Sequence, residues 1–294
     1  MTTTVVSWNI AKKHAAWRQL VEMGADVALL QEAGNPPEDV ADKVDTGPRE
    51  HWDSHVWNSD WWEGRSWPNL FDRWAKVVKL SDRVDVEWFK QVSPISWPPE
   101  DEIAVSGIGT IAAARIAPKD GSAPFIAVSM YAKWVKPHVS TKTKFFKVGY
   151  ADASVHRILS DLSAFIGHPD PSTHRILAAG DLNIIYGATD DNPLALPARD
   201  RNVFDRMEAL GLELLGPWHP NGRQAKPTPR GLPPDTLSVP TLHYSREGPS
   251  DARYQYDYAI ASRGFHNCVS VSALNSVEEW GASDHCRLLI EVAG

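Results

Sequence analysis

Arg175-Ile176-Leu177-Ala178-Ala179-Gly180-Asp181-Leu182-Asn183 is a short apolar run that stops abruptly at Gly-Asp-Leu-Asn. A run of this length and composition reads as a buried strand. The same design recurs along the chain. Thr4-Val5-Val6-Ser7-Trp8 reaches Asn9, Asp26-Val27-Ala28-Leu29-Leu30 reaches Gln31-Glu32, and Phe125-Ile126-Ala127-Val128-Ser129-Met130 reaches Tyr131. Two late segments reverse the order, with the polar residues leading: Tyr256-Asp257-Tyr258-Ala259-Ile260 and Ser283-Asp284-His285-Cys286-Arg287-Leu288-Leu289-Ile290. If all these polar residues share one rim, the last two strands run antiparallel to the first four. That arrangement predicts mixed sheets and not a doubly wound parallel sheet.

Helical periodicity appears between the runs. Residues 14–23 place Ala16, Leu20 and Met23 on one face, and residues 151–166 carry Val155, Ile158, Leu159, Leu162, Phe165 and Ile166. Asp200 is expected to cap a helix carrying Val203, Phe204, Met207 and Leu210, which Gly211 ends. The expected organisation is one domain over 1–294. A tryptophan-rich insertion interrupts it at about 51–102, and a proline-rich irregular loop at about 217–240.

Composition excludes several classes. Of 294 residues, 43% are apolar and 23% charged, which fits a globular chain and argues against disorder. No run reaches the roughly 18 apolar residues of a membrane span. The first residues lack the basic and apolar regions of a signal peptide. Two cysteines, Cys268 and Cys286, make neither a disulfide framework nor a four-thiolate zinc site, so a reducing, cytoplasmic setting is expected. The net charge of −7 disfavours indiscriminate nucleic-acid binding but leaves room for a local basic patch.

The strand-end residues suggest chemistry. In an extended segment Asp181 and Asn183 share a face, which would turn both toward solvent with Leu182 in the core. An aspartate beside an amide can orient water and hold a phosphoryl oxygen; alone, the tetrapeptide also suits a turn. Glu32, at a buried strand's end, suits a hard cation such as Mg²⁺. Asp284 and His285, just before a strand, can converge to bind metal and phosphate. Asn9 alone would be an ordinary turn residue.

As an ordered set these pieces resemble the endonuclease/exonuclease/phosphatase superfamily, whose members include class II AP endonucleases, pancreatic-type deoxyribonucleases, inositol-polyphosphate 5-phosphatases and neutral sphingomyelinases. The matching residues are Ser7-Trp8-Asn9-Ile10, Leu30-Gln31-Glu32, Ser129-Met130-Tyr131, Gly180-Asp181-Leu182-Asn183, Tyr256-Asp257-Tyr258 and Ser283-Asp284-His285, spread over about residues 4–292. The resemblance implies an α/β (α+β) four-layer sandwich of two packed mixed β-sheets flanked by helices. It implies Glu32 as the principal Mg²⁺ ligand (Mn²⁺ as the alternative), with Asp284 contributing. Asp181 would orient or deprotonate the attacking water, and Asn9 and Asn183 would position it and the phosphate. His285, held by Asp257, would contact a nonbridging oxygen, and Tyr131 would bond the phosphate or assist the leaving group.

The expected activity is a metal-dependent phosphodiesterase, a nuclease acting on DNA or RNA. The alternative substrate is a small or lipid phosphoester of inositol-phosphate or sphingomyelin type. A catalytically silent binding protein on the same scaffold is the third reading, disfavoured by the intact polar set. Residues 131–147 carry Lys133, Trp134 and Lys136 among five lysines and no acid, a pattern suited to following a phosphate backbone. Arg223, Lys226 and Arg230 would extend that patch. A monomer is expected. Gly107-Ile108-Gly109-Thr110-Ile111-Ala112 matches a dinucleotide fingerprint, but no helix pattern follows it. His51 and His55 lack the glutamate of a zinc-protease motif and read as surface residues, as does His156; His243 has no assigned role.

Overall fold

A computed structural model describes residues 2–53, 74–92, 103–106, 110–132, 151–168, 171–244 and 246–294. The strands are β1 (Thr2–Asn9), β2 (Val27–Gln31), β3 (Lys76–Lys79), β4 (Val84–Trp88), β5 (Lys90–Val92), β6 (Ala104–Ser106), β7 (Ile111–Pro118), β8 (Phe125–Tyr131), β9 (Ile176–Asp181), β10 (Leu212–Gly216), β11 (Asp257–Ser262), β12 (Val269–Leu274) and β13 (Arg287–Ala293). The α-helices are α1 (His14–Glu22), α2 (Glu38–Ala41), α3 (Arg49–Trp52), α4 (Ala151–Gly167) and α5 (Pro197–Ala209). One sheet has the order β12-β13-β1-β2-β3, the other β10-β11-β9-β8-β7-β4, and β5 pairs with β6. Both large sheets are mixed. β1 and β2 are parallel, as are β8 and β9, while β13 runs against β1 and β11 against β9. The strand polarity inferred from the six polar ends is the one observed.

Alternation along the strands builds the layers. Val5, Val27, Leu29, Val77 and Ile290 from one sheet meet Ala114, Ile116, Phe125, Ala127, Leu177 and Ala179 from the other. The opposite face of the first sheet buries Val6, Trp8, Ala28 and Leu30 against Ala16, Trp17 and Leu20 of α1. The opposite face of the second buries Ile126, Val128, Met130 and Ile176 against Val155, Ile158 and Leu162 of α4 and Val203 and Met207 of α5. The result is the expected four-layer sandwich. Each large aliphatic side chain fully buried in these layers contributes roughly 1.5–3 kcal/mol.

Local details depart from the sequence reading. Trp17, not Met23, fills the α1 face; Met23 lies past the helix end and is only partly buried. Asp200 does not cap α5. The helix begins at Pro197, whose missing N–H suits a first turn, and Asp200 lies inside it, near the Ile185 amide. His51 is fully buried. Its Nε2 accepts from Val77 N (3.1 Å), which leaves Nδ1 to donate to Phe89 O (3.3 Å). Burial pushes its pKa down to about 3. His156 is half-buried against Arg206. His55, the 107–109 glycine pair and the basic stretch at 133–147, including Lys133, Trp134 and Lys136, lie outside the described residues. Of the tryptophan-rich segment, β3 and β4 are edge strands of the two large sheets, so that part belongs to the sandwich. The 217–240 segment is irregular and is pinned by Gln255 and Asn275.

Gly180 shows why the β8–β9 pair can close. A Cβ there would lie 1.9 Å from Met130 O and 2.9 Å from Gln31 Nε2. Gly180→Ala must therefore prise the strands apart. We expect a loss of about 3 kcal/mol, or roughly 5 °C in Tm for a chain of this size, read by thermal unfolding; an unchanged Tm would contradict this packing.

Candidate active site

The strand registers gather the polar ends. Tyr131, Asp181 and Asp257 are direct neighbours across β8, β9 and β11. On the facing sheet Asn9 lies beside Gln31, which Glu32 follows. The antiparallel return of β13 along β1 brings residues 283–285 to the same rim. Ser283 Oγ donates to Asn9 O (2.6 Å) and Trp8 Nε1 to His285 O (2.9 Å). Leu242 bridges to His285, and Thr241 Oγ1 accepts from the amides of Tyr256 and Asp257 (2.9 and 3.1 Å). Thr241 and Leu242 carry no sequence signal, because their roles exist only once the two sheets are stacked.

At the centre is Asp181, 2% exposed. Its Oδ2 accepts from Asn9 Nδ2 (3.1 Å) and Asn183 Nδ2 (2.9 Å), and its Oδ1 accepts from Asn183 N (3.0 Å). Asp181 and Asn183 do converge, but through a turn and not through strand alternation. Asn183 is left-handed (φ 52°) and folds back on the aspartate. Nor does Asp181 face solvent as expected: it is buried between Asn9, Asn183 and His285. Leu182 is in the core as expected.

His285 Nδ1 donates to Asp257 Oδ2 (2.8 Å), which leaves Nε2 at 3.9 Å from Asp181 Oδ2. Burial alone would lower the imidazole pKa, but the Asp257 and Asp181 carboxylates outweigh it and hold it up at about 10. Burial pushes the Asp181 carboxyl up to about 7, against the pull of His285 and the Asn9 hydrogen bond; the charges of Asp257 and Glu32 add to the rise. A buried imidazolium therefore stands beside a carboxyl poised near neutrality. The 3.9 Å gap is too long for a direct hydrogen bond, yet one oxygen can sit about 2.8 Å from both atoms.

Glu32 is half-buried and left-handed (φ 47°), and Tyr131 Oη donates to its Oε1 (2.9 Å). Asp284 is half-buried, its Oδ1 lies 3.1 Å from Ser283 Oγ, and its charge reaches His285. Glu32 and His285 both act on Asp181, so the six sequence pieces meet at one rim. Four carboxylates, Glu32, Asp181, Asp257 and Asp284, share this rim with one imidazole. That excess of negative charge, with oxygen donors on both sides of Asp181, fits a hard divalent cation. Asp181, Asp257 and His285 also offer ligand atoms within 4.8 Å of one another. Glu32 and Asp284 offer further carboxylate oxygens at the same rim.

No protein-family model and no curated protein matches the sequence. Solved structures do match over nearly the whole chain. The AP endonuclease LMAP from Leishmania major superposes with a TM-score of 0.60 at 17% identity, covering 100% of this chain and 88% of its own. The 3'-5' exonuclease NExo from Neisseria meningitidis gives 0.56 at 14% identity, over 99% and 100% of the two chains. An endonuclease/exonuclease/phosphatase from Bacteroides vulgatus gives 0.54 at 13%, over 99% and 98%. The chain has the endonuclease/exonuclease/phosphatase fold. Among the described residues, no helix is long and apolar enough to cross a membrane.

Proposed function

We propose that this chain is a divalent-metal-dependent phosphodiesterase that hydrolyses DNA or RNA, with Mg²⁺ as its ion and Mn²⁺ as a substitute. The observation that carries the reading is the buried Asp181, fixed by Asn9 and Asn183 and set 3.9 Å from a histidine that Asp257 keeps charged. Uncatalysed phosphoester hydrolysis is among the slowest of reactions, so a site must both position water and offset developing charge.

In this reading the phosphate enters the gap between His285 Nε2 and Asp181 Oδ2. His285 Nε2–H donates to a nonbridging oxygen, and the imidazolium stabilises charge there. Asn9 and Asn183 hold Asp181 by its Oδ2, and Asp181 takes the proton of the water that attacks phosphorus as the P–O bond to the leaving group breaks. Tyr131 orients Glu32. Glu32 and Asp284 would hold the cation, which neutralises phosphate charge and acidifies water when bound.

Fold alone does not choose the substrate. The nucleic-acid reading is supported by the similar structures, which include AP endonucleases, an exonuclease, and the Neisseria 3' phosphatase bound to a product DNA hairpin. Lys13, exposed just beyond Asn9, adds positive charge near this rim. A cytoplasmic setting belongs to the same proposal, since both cysteines are free thiols. The test is a panel of abasic duplex, single-stranded DNA, RNA, a generic phosphodiester and inositol phosphates, each with Mg²⁺, with Mn²⁺ and with a chelator. We expect turnover of a nucleic acid that the chelator abolishes. Turnover of only the small esters would overturn the nuclease reading, and full activity in chelator would overturn the metal.

A further inference from the structure

Glu32 stands on a turn that nothing in its own sequence would stabilise. Glu32 and Gly34 are both left-handed (φ 47° and 57°), and for a glutamate that conformation is unfavourable. Yet three successive carbonyls of this turn each accept from a donor on a different part of the fold. Glu32 O accepts from Lys12 N (2.8 Å), Ala33 O from Trp17 Nε1 (3.1 Å) and Gly34 O from Lys76 Nζ (2.7 Å). Ala33 N in turn donates to Trp74 O (3.1 Å), just before β3.

Lys76 is the unusual member. It is fully buried at the start of β3, paired in register with Leu30 on β2. Its ammonium lies 3.9 Å from the Trp52 ring centroid and 5.1 Å from that of Trp74, a cation–π seat walled by two indoles. Burial lowers its pKa to about 7 against the pull of the Asp53 carboxylate. A buried ammonium is costly unless it is satisfied; here its short hydrogen bond goes to the turn that carries Glu32.

We infer that Lys76 and Trp17 are positioning residues that clamp the Glu32–Gly34 turn and thereby aim the Glu32 carboxylate at the metal site beside Asp181. Neither side chain touches the reacting groups. Both act through backbone carbonyls, so their removal should loosen the ligand without removing it. The inference rests on the metal-dependent reading above.

Lys76→Met keeps the length of the side chain and deletes the donor. Trp17→Phe keeps an aromatic ring and deletes the N–H, together with part of the buried indole volume. Calorimetric titration of the metal-free protein with Mn²⁺ should give each variant an affinity about 10-fold or more below wild type. In turnover, the loss should sit in the Mn²⁺ concentration required and not in the rate at saturation. Lys76→Arg, which retains a donor, should recover part of the affinity. Thermal unfolding identifies a variant that has not folded, and Trp17→Phe decides the matter if Lys76→Met fails in that way. Folded variants that bind Mn²⁺ as tightly as wild type would overturn the clamp. If Glu32→Gln weakens binding while neither clamp variant does, only the clamp falls. If wild type binds no Mn²⁺, or Glu32→Gln leaves binding unchanged, the site reading falls and the clamp falls with it.

Discussion

Asp181→Asn should lower kcat/KM by about 10³-fold, within the range for removal of a general base, with little change in substrate affinity. The substitution is nearly isosteric and keeps two of the three hydrogen bonds. The amide oxygen can still accept from Asn9 and Asn183 side chains, but its NH₂ group then faces the Asn183 amide N–H, which ordinarily donates to Oδ1. One lost hydrogen bond costs about 1 kcal/mol, a small stability effect beside a large kinetic one. The pH profile separates base loss from simple distortion. Burial raises Asp181 to about 7, so at lower pH the carboxyl is increasingly protonated and cannot accept the water's proton. Wild-type kcat/KM should therefore fall tenfold per pH unit on the acid side. It should fall again on the alkaline side, as His285, held up at about 10 by Asp257 and Asp181, loses its proton. Bound cation favours the Asp181 anion and should move the acid limb to lower pH. Asp181→Asn should lose the acid limb and keep the alkaline one, moved to lower pH because one of the two carboxylates that hold His285 up is gone. Activity within tenfold of wild type, or an acid limb that persists, would remove Asp181 from the role of base.

The site was legible because its residues terminate strands. A strand that ends in a polar residue declares which rim it serves, and the reversed order at Asp257 and at Asp284-His285 gave the strand polarity before any register was known. What the sequence could not carry depends on contacts between distant segments. Asp181 and Asn183 two residues apart suggested a shared strand face, whereas the chain turns at Asn183 and the aspartate is buried between Asn9, Asn183 and His285. Asp200 looked like a cap because its residue type suits one, but Pro197 starts the helix first. His51 looked superficial in a segment rich in acids, yet it bonds β3 and the Phe89 carbonyl from a buried position. Lys76 gave no signal at all: a lysine is ordinarily a surface residue, and only the meeting of Trp52, Trp74 and the Glu32 turn makes it otherwise.

Glu32→Gln should produce an effect whose sign on stability depends on the ion, which makes it the sharper test of the metal assignment. The amide keeps an oxygen for the Tyr131 hydroxyl, now 2.9 Å from Oε1, and keeps the side-chain volume. It loses one negative charge from a rim where Glu32 and Asp257 already raise Asp181 by repulsion. In chelator, relief of that repulsion should leave the variant as stable as wild type or slightly more so. With Mg²⁺ at about 100 times its dissociation constant, wild type should gain about 2.7 kcal/mol, roughly 5 °C in Tm for a chain of this length. The variant, binding the ion weakly, should gain little, so the order of the two melting temperatures reverses on adding metal. Turnover at the same Mg²⁺ should drop roughly 10³-fold, because the ion's neutralisation of phosphate charge is lost with its ligand. A site in which Asp181, Asp257 and His285 held the ion instead would give a different pattern. Glu32→Gln would then leave the Mg²⁺-dependent rise in Tm largely intact, and His285→Ala would abolish it. With Glu32 as the ligand, His285→Ala should retain the metal-dependent rise while losing turnover, since His285 Nδ1 is bonded to Asp257 and its Nε2 serves the phosphate.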